Sequence, residues 1–362
     1  MRKPLALVAI IADDLTGALD AAAPFAMRRQ RTVVATAPAR LPAALSAAPE
    51  VIAVSTNSRE SSPEEAVRVV HAVAASLRDV PIVFKKVDSR LKGHVRLEAT
   101  ALARQRGLSS ILLCPAIPEF GRHVRCGELM GFGVDAPVNC AALVGPGDMP
   151  VEIADASTEA ELDTLVTAAL RHGGQLLVGA RGLAGALARR LSGMPEPLST
   201  KPRLGLPMSV AVGSRDPITV AQITELRRAR FGVATVSAPN GKFEGESPHA
   251  EVVVLQATPG ETAANPAVVQ EAFAASFVPK FTRDRRTLVL TGGATAAAVL
   301  ERLDAGVLEL WAEAAPGVPI SRVIGNQDRL DIVTKSGGFG SARTLLDIVE
   351  LCTTDQRNKT AG

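Results

Sequence analysis

Apolar runs of four or five residues, rich in β-branched side chains, alternate along most of the chain with runs at helical spacing. Residues 8–12 (Val-Ala-Ile-Ile-Ala) read as a buried strand ending in Asp13-Asp14, and an alanine-rich, helix-forming run begins at Gly17. Residues 32–36 and 51–55 read as further buried strands, the second leading into the polar turn 56–60. Pro63 opens a helix to about Arg78, with Ala66, Val69, Val70, Val73 and Leu77 on one face. A strand starting at 81–84 runs into Lys85-Lys86-Val87-Asp88-Ser89-Arg90-Leu91-Lys92-Gly93. A helix comes next, to about Arg106, then a strand at 111–114. Between Pro115 and Pro150 the alternation breaks: glycines and prolines recur and no long helix fits, the mark of a functional loop or a small hairpin insertion. It resumes with a helix at 159–171, a strand at 175–179 and a helix at 183–191.

Residues 192–207 carry four prolines and read as the linker between two domains, 1–195 and 205–355. The second half repeats the alternation. Strands are expected at 209–212, 233–236, 252–255 and 287–291, with shorter ones near Leu308 and Ile332. Helices are expected at 218–230, 266–281, 295–303 and 345–352, before a polar, frayed end. The predicted class is α/β: two domains, each a mostly parallel sheet flanked by helices.

Composition narrows the function. The 362 residues are 47% hydrophobic, enough for two cores, and 40 basic against 37 acidic residues leave a net charge of only +3. Without a basic excess, and with one Trp and no Tyr, neither nucleic acid nor a membrane surface is an expected partner. Cys114, Cys126, Cys140 and Cys352 show no metal or disulfide spacing, and the early apolar run is too short for a leader or a membrane span. A cytoplasmic globular protein is expected.

The chemistry is expected where strands end. Asp13 and Asp14 lie at a strand–helix junction, where carboxylates can grip a hydroxyl-rich ligand, act as a general base, hold Mg²⁺, or simply cap the helix. Asp14, nearer the helix mouth, is the favoured base. Asp88 could hold hydroxyls or cap. Arg59, Lys92 and Arg122 lie on separate turns that could converge on a carboxylate, or be solvated. His94 and His123 read as structural. In the second half, Gly292-Gly293-Ala294-Thr295 comes after a strand, Lys335 precedes Gly337-Gly338, and Ser214 sits in the turn 212–215. Glycine lets backbone N–H groups approach an anion, so three such turns in one domain favour a nucleotide over plain tight turns. Lys335 is the side chain expected to touch phosphate.

Several stretches, in order, resemble the four-carbon acid sugar kinase family: IADDLTGALD, KKVDSRLKG, CPAIPEFGRHVRCG, VGARGLAGALA, VGSRDPITVAQI, LTGGATAAAVL with PGVP downstream, and IVTKSGGFGS. The resemblance covers nearly the whole chain. It implies an N-terminal domain that binds a sugar acid such as threonate, erythronate or a 3-oxo-tetronate, and a C-terminal domain that binds ATP with Mg²⁺. Phosphoryl transfer would cross an interdomain cleft. Asp14 or Asp13 would take the hydroxyl proton, and Asp13, Arg59, Asp88, Lys92 and Arg122 would bind the acid. Ser214, Gly292, Gly293, Ala294, Thr295, Lys335, Gly337 and Gly338 would bind the nucleotide. A homodimer is the assembly considered. Lys92, Arg90, Ala294 and Gly338 stand where the family usually has Arg, Thr, Glu and Asn. The alternatives are a non-catalytic binding protein of the same fold and, less favoured for want of GxGxxG after the first strand, a dehydrogenase.

Overall fold

The computed structural model describes residues 6–198, 202–229, 232–325 and 330–353. The frayed end expected beyond 353 and residues 199–201 of the expected linker lie outside them. The chain forms two compact units, Met1–Leu198 and Ser199–Gly362.

The first unit begins with β1 (Val8–Ala12), α1 (Leu15–Ala26), β2 (Thr32–Ala35), α2 (Leu41–Ser46), β3 (Val51–Ser55), α3 (Pro63–Ser76), β4 (Ile82–Lys86), α4 (Val95–Gln105) and β5 (Ser110–Cys114). Then come β6 (Arg122–Arg125), β7 (Glu128–Gly131), β8 (Val138–Asn139), α5 (Cys140–Val144), β9 (Val151–Ile153), α6 (Glu159–His172), β10 (Gln175–Gly179) and α7 (Arg181–Ser192). Strands β2-β3-β1-β4-β10-β5-β9 lie side by side and are all parallel. A parallel strand covered on both faces must be apolar throughout, and every residue of β1 is buried. One helix row, α1 on α7 on α6, and a second pair, α3 on α4, supply that cover.

Between Pro115 and Pro150 the chain forms the small hairpin insertion, an antiparallel sheet of β6, β7 and β8. Gly121 in the left-handed region closes a short helical turn, and a Cβ on Gly131 would strike the Gly121 carbonyl oxygen, so the hairpin can fold tightly only on glycine. The tight turn brings Arg122 to the start of β6.

The second unit runs β11 (Met208–Val212), α8 (Pro217–Arg228), β12 (Val233–Pro239), β13 (Val252–Thr258), α9 (Pro266–Phe281), β14 (Thr287–Thr291), α10 (Gly293–Arg302), β15 (Val307–Ala315), β16 (Val318–Val323), β17 (Asp331–Lys335) and α11 (Thr344–Thr353). Within the unit the strand order is β12-β13-β11-β14-β17-β16-β15, the first five parallel and the last two antiparallel. The single short strand expected near Leu308 is instead a nine-residue strand with a hairpin partner, β16. Its burial alternates, as in an antiparallel strand with one wet face, so no continuous apolar run announces it.

In each unit the first strand lies between strands that the chain reaches in opposite directions. From β1 the chain goes to β2 and β3 on one side and to β4 on the other. From β11 it goes to β12 and β13 on one side and to β14 on the other. Such switch points open a crevice at the carboxyl ends of the strands.

Two glycines of the buried helix α7 give a stability test. A Cβ on Gly182 would strike the Ala116 carbonyl oxygen and approach Ile117 Cα to 3.2 Å, whereas one on Gly185 meets nothing closer than 3.7 Å. Gly182→Ala should destabilise the protein by about 1–3 kcal/mol through overpacking. Gly185→Ala should stabilise it by about 0.5–1 kcal/mol through helix entropy. Denaturant unfolding of both variants reads the opposite signs.

Candidate functional site

In the first unit five strands end level with one another: Ala12 is paired with Ser55 and Lys86, Lys86 with Gly179, and Gly179 with Cys114. The loops leaving these strands therefore emerge at one edge. After β1, Asp14 caps α1, accepting from Gly17 N at 2.8 Å and from Thr16 Oγ1 at 2.8 Å. The helix thus starts at Leu15, two residues earlier than the alanine run suggests, because the Asp14 cap admits them. Gly17 lets the cap oxygen lie close over the first turn, where a Cβ would push against Asp14 Oδ1.

Asp13 is nearly enclosed, with 4% of its side chain exposed. Its backbone carbonyl accepts from Ser58 N (2.9 Å) and Arg59 N (3.3 Å), tying the turn after β3 to the end of β1. Arg59 returns across the pair. Its Nε and Nη2 reach Asp13 Oδ2 and Oδ1 at 2.9 and 2.7 Å, its Nη1 reaches Asp14 Oδ2 at 2.9 Å, and Asp88 Oδ2 is 3.8 Å away. Burial alone would raise the Asp13 carboxyl. The Arg59 hydrogen bonds and charge, with the charges of Lys85 and Lys86, overcome it and hold the group below the usual carboxylate range. Burial likewise opposes the Arg59 charge, and Asp13, Asp14 and Asp88 outweigh it. Arg59, expected to receive a ligand's carboxylate, instead clamps the protein's own acidic pair.

Lys85 and Lys86 are not among the site residues expected from sequence, although two consecutive lysines ending a strand buried on both faces are a signal. Lys85, fully buried, lies 2.7 Å from Glu98 Oε2 of α4. Glu98 Oε1 accepts from Ser58 Oγ (2.7 Å), Ser58 Oγ lies 2.7 Å from Thr56 Oγ1, and Thr56 Oγ1 donates to the Ala12 carbonyl (2.9 Å). Lys86 is different. It is 4% exposed, donates to the Val87 carbonyl at 2.7 Å, and has no carboxylate within ion-pair distance among the described residues. Its Nζ lies 3.2 Å from where a Gly17 Cβ would stand, beside the Asp14 cap.

The loop after β4 folds back over the clamp. Asp88 Oδ1 accepts from Arg90 N at 2.9 Å within its own turn and caps no helix, since α4 begins only at Val95, while its other oxygen faces Arg59. Gly93, at φ +83°, would carry a Cβ 3.3 Å from Asp13 Oδ2 and from Arg59 Cγ, so only glycine lets the loop lie this close. Arg122 joins from the hairpin, donating from Nη1 to Ser89 Oγ (2.5 Å) and from Nε and Nη2 to the Phe132 carbonyl (3.1 and 2.7 Å). Burial lowers its pKa, as does nearby Arg90, while Asp88 opposes them. Lys92 is exposed. The structure thus gathers Asp13, Asp14, Arg59 and Asp88, attaches Arg122 through Ser89, and leaves Lys92 in solvent.

In the second unit Val212, Thr291 and Lys335 are paired across adjacent strands β11, β14 and β17, so the three glycine turns leave the sheet side by side. Gly213 packs against the Thr295 side chain. Gly292, at φ +93°, caps α10, so this helix begins at Gly293 rather than Thr295. Ser214 faces the positions where Gly292 and Gly337 would carry Cβ atoms, at 3.9 and 3.0 Å, and Asp216 faces that of Gly338. Thr295 is buried and Ala294 exposed. Lys335, expected to touch phosphate, is 1% exposed, and its Nζ donates to the carbonyls of Ser336 (2.8 Å), Gly337 (2.9 Å) and Phe339 (3.2 Å). Burial pushes it down to about 8, against the charge of Asp216. Its side chain is turned into its own loop. Among the described residues, no cluster of three or more His, Cys, Asp or Glu is placed to hold a metal ion, and no helix is long and apolar enough to cross a membrane.

Fold and turns together define a two-unit α/β protein with charged turns at one switch point and glycine turns at the other. Residues 8–139 match the sugar-binding N-terminal domain and residues 242–345 the nucleotide-binding C-terminal domain of one family. A D-threonate kinase of Cupriavidus necator is 30% identical over 93% of this chain and 95% of its own. A 3-oxo-tetronate kinase of Pseudomonas fluorescens is 28% identical over 93% and 95%. This chain belongs to the four-carbon acid sugar kinase family. A solved structure from Salmonella typhimurium LT2 shares the fold, with a TM-score of 0.72 and 18% identity over 94% of this chain and 98% of that one.

The Asp13–Arg59 pair makes a pH test. The folded pKa of Asp13 lies below its ordinary 3.8, so the ionised group adds stability above that pH, and this is lost as pH falls through the lowered folded value. Asp13→Asn should cost about 3–5 kcal/mol at neutral pH by leaving Arg59 partly unpaired. The gap from the parent protein should close on acidification below 3.8. Urea unfolding across that range measures it.

Proposed function

We propose that the protein is an ATP-dependent kinase that phosphorylates a hydroxyl of a four-carbon sugar acid of the threonate, erythronate or 3-oxo-tetronate kind. The reading is carried by the pairing of a hydroxyl- and carboxylate-binding kind of site in one unit with a phosphate-binding kind in the other. The names of the relatives support it: D-threonate kinase and 3-oxo-tetronate kinase. Phosphoryl transfer asks a protein for positioning and charge neutralisation more than for covalent chemistry.

Within the first unit the acid's hydroxyls would meet Asp14 and Asp88, whose side chains are 18% and 17% exposed. Asp14 is the proposed base. Asp13 has both oxygens bonded to Arg59 and is held at low pKa, which suits an electrostatic anchor better than a proton acceptor. The acid's carboxylate needs a cation that is not already matched. Arg59 fails that condition. Lys86, which acts on Asp13 and Asp20 through charge but has no carboxylate at ion-pair distance among the described residues, comes nearest to it, with Arg122 and exposed Lys92 as outer contributors.

In the second unit the turns at Ser214, Gly292 to Thr295 and Gly337-Gly338 fit a nucleotide's phosphates, because a Cβ at Gly292, Gly337 or Gly338 would enter the space they share with Ser214 and Asp216. Mg²⁺ would ride on those phosphates, neutralising their charge, and such ions need only one or two protein carboxylates, a demand Asp216 could meet.

A coupled assay of ADP release over a panel of four-carbon sugar acids tests the proposal; ATP bound but never consumed with any of them would favour the non-catalytic alternative. Asp14→Asn keeps the helix cap through its one oxygen but turns an amide NH₂ towards Arg59 Nη1, so stability should fall by about 1–3 kcal/mol, while kcat of the folded variant falls about 10²–10⁴-fold. Lys86→Met should raise the KM for the acid about 10–100-fold by removing a charge-assisted hydrogen bond, and leave the KM for ATP alone.

A further inference from the structure

Lys335 ends β17 with an apolar stem and a buried ammonium, and what it bonds is unusual for a lysine on a glycine turn. Its three hydrogens meet the carbonyls of Ser336, Gly337 and Phe339, at 2.8, 2.9 and 3.2 Å. From α8, Thr219 Oγ1 also donates to the Gly337 carbonyl, and Gln222 Nε2 donates to those of Phe339 (3.0 Å) and Ser341 (2.8 Å). The loop's carbonyls are thus gathered on its inner side.

A trans peptide plane carries its C=O and its N–H on opposite sides. Turning the carbonyls of 336, 337 and 339 inward therefore turns the N–H groups of Gly337, Gly338 and Gly340 outward. Among the described residues none of these three N–H groups donates to any protein acceptor. Successive outward N–H groups form a concavity suited to an anion. Glycine keeps the space beside this loop open: a Cβ at 337 would lie 2.5 Å from Ser214 Oγ and one at 338 would lie 2.6 Å from Asp216 Oδ2, so either would push those side chains aside, while at Gly340 a φ of +90° disfavours any other residue.

We infer that Lys335 is a positioning residue: by holding three loop carbonyls inward it presents the N–H groups of Gly337, Gly338 and Gly340 as a backbone cradle for phosphate groups, without touching the phosphates itself. The inference rests on the reading that the second unit binds ATP. It reassigns the positive charge of the turn from ligand contact to loop geometry, and makes the donors peptide N–H groups rather than an ammonium.

Charge state matters to this device. The ammonium can serve three carbonyls, whereas the neutral amine has only two N–H groups. The charged group facing it is Asp216 ahead of α8; Thr219 and Gln222 of α8, and Ser214 after β11, carry no charge. With burial pushing Lys335 down to about 8, the cradle should slacken as pH rises through that value.

The test uses full-length protein labelled with ¹⁵N-glycine and titrated with ATP. The amide signals of Gly337, Gly338 and Gly340 are expected to move on binding. Without ATP, the same signals are expected to move as pH passes about 8. Lys335→Met should weaken ATP binding about 10–100-fold, the size of losing charge-assisted donors, and abolish the shifts at these three glycines while those at Gly213 and Gly292 persist. Lys335→Arg, whose planar fork cannot converge on three carbonyls, should not rescue it. ATP binding with the three signals unmoved, or retained affinity in Lys335→Met, would overturn the inference. No ATP binding to the parent protein would instead overturn the functional reading. Should Lys335→Met not fold, the titrations of the parent protein still decide.

Discussion

The first unit's site depends on one guanidinium. Asp13 is enclosed where β1 ends, and enclosure alone would drive its carboxyl towards the neutral form. Arg59 keeps it ionised by bonding both of its oxygens and holds Asp14 with the remaining arm. The same residue's backbone N–H, with that of Ser58, bonds the Asp13 carbonyl, so the turns after β1 and β3 are fixed by one side chain and its own main chain. Gly93 then lets the loop after β4 lie directly on the clamp. A buried pair of this kind is a weak source of net stability, because desolvation offsets the attraction. Its service is geometric: three loops from three strands share one reference point.

The second unit places a buried cation at a strand end too, but gives it different partners. Lys335 bonds main-chain carbonyls where Arg59 bonds side-chain carboxylates. The contrast matches the ligands each side is proposed to face. A hydroxyl-rich acid is gripped by side chains with directional oxygens, so the first unit organises carboxylates. Phosphates are gripped by N–H groups, so the second organises peptide planes. In both, the cation works behind the surface that a ligand would meet.

Most of the fold was legible because it is parallel. Strands such as β1, β3 and β14 are buried on both faces, so each appears as an unbroken apolar run, and prolines open α3, α8 and α9 near the positions expected. β15 has one wet face, so only a short strand near Leu308 was visible of it; β16 and α2, only six residues long, escaped the pattern. The turns were equally legible, since glycines and carboxylates after apolar runs mark strand ends. What could not be read was which acceptor each positive charge had already met. Arg59, Lys86 and Lys335 are all cations beside strand ends in the sequence. Only coordinates distinguish a clamp on acids 46 and 45 positions earlier, a nearly unmatched ammonium, and a tie on the next few carbonyls.

The level pairing of Val212, Thr291 and Lys335 acts as a ruler. Side chains alternate faces along a strand, so losing a single residue within β17 would do more than shorten it. Lys335 would point to the opposite face, and its ammonium would leave the three carbonyls. The loops at the other edge of the sheet have no such parity to keep. Variation in length can therefore accumulate there, while the strands feeding the glycine turns, and the turn whose carbonyls Lys335 holds, must keep their count.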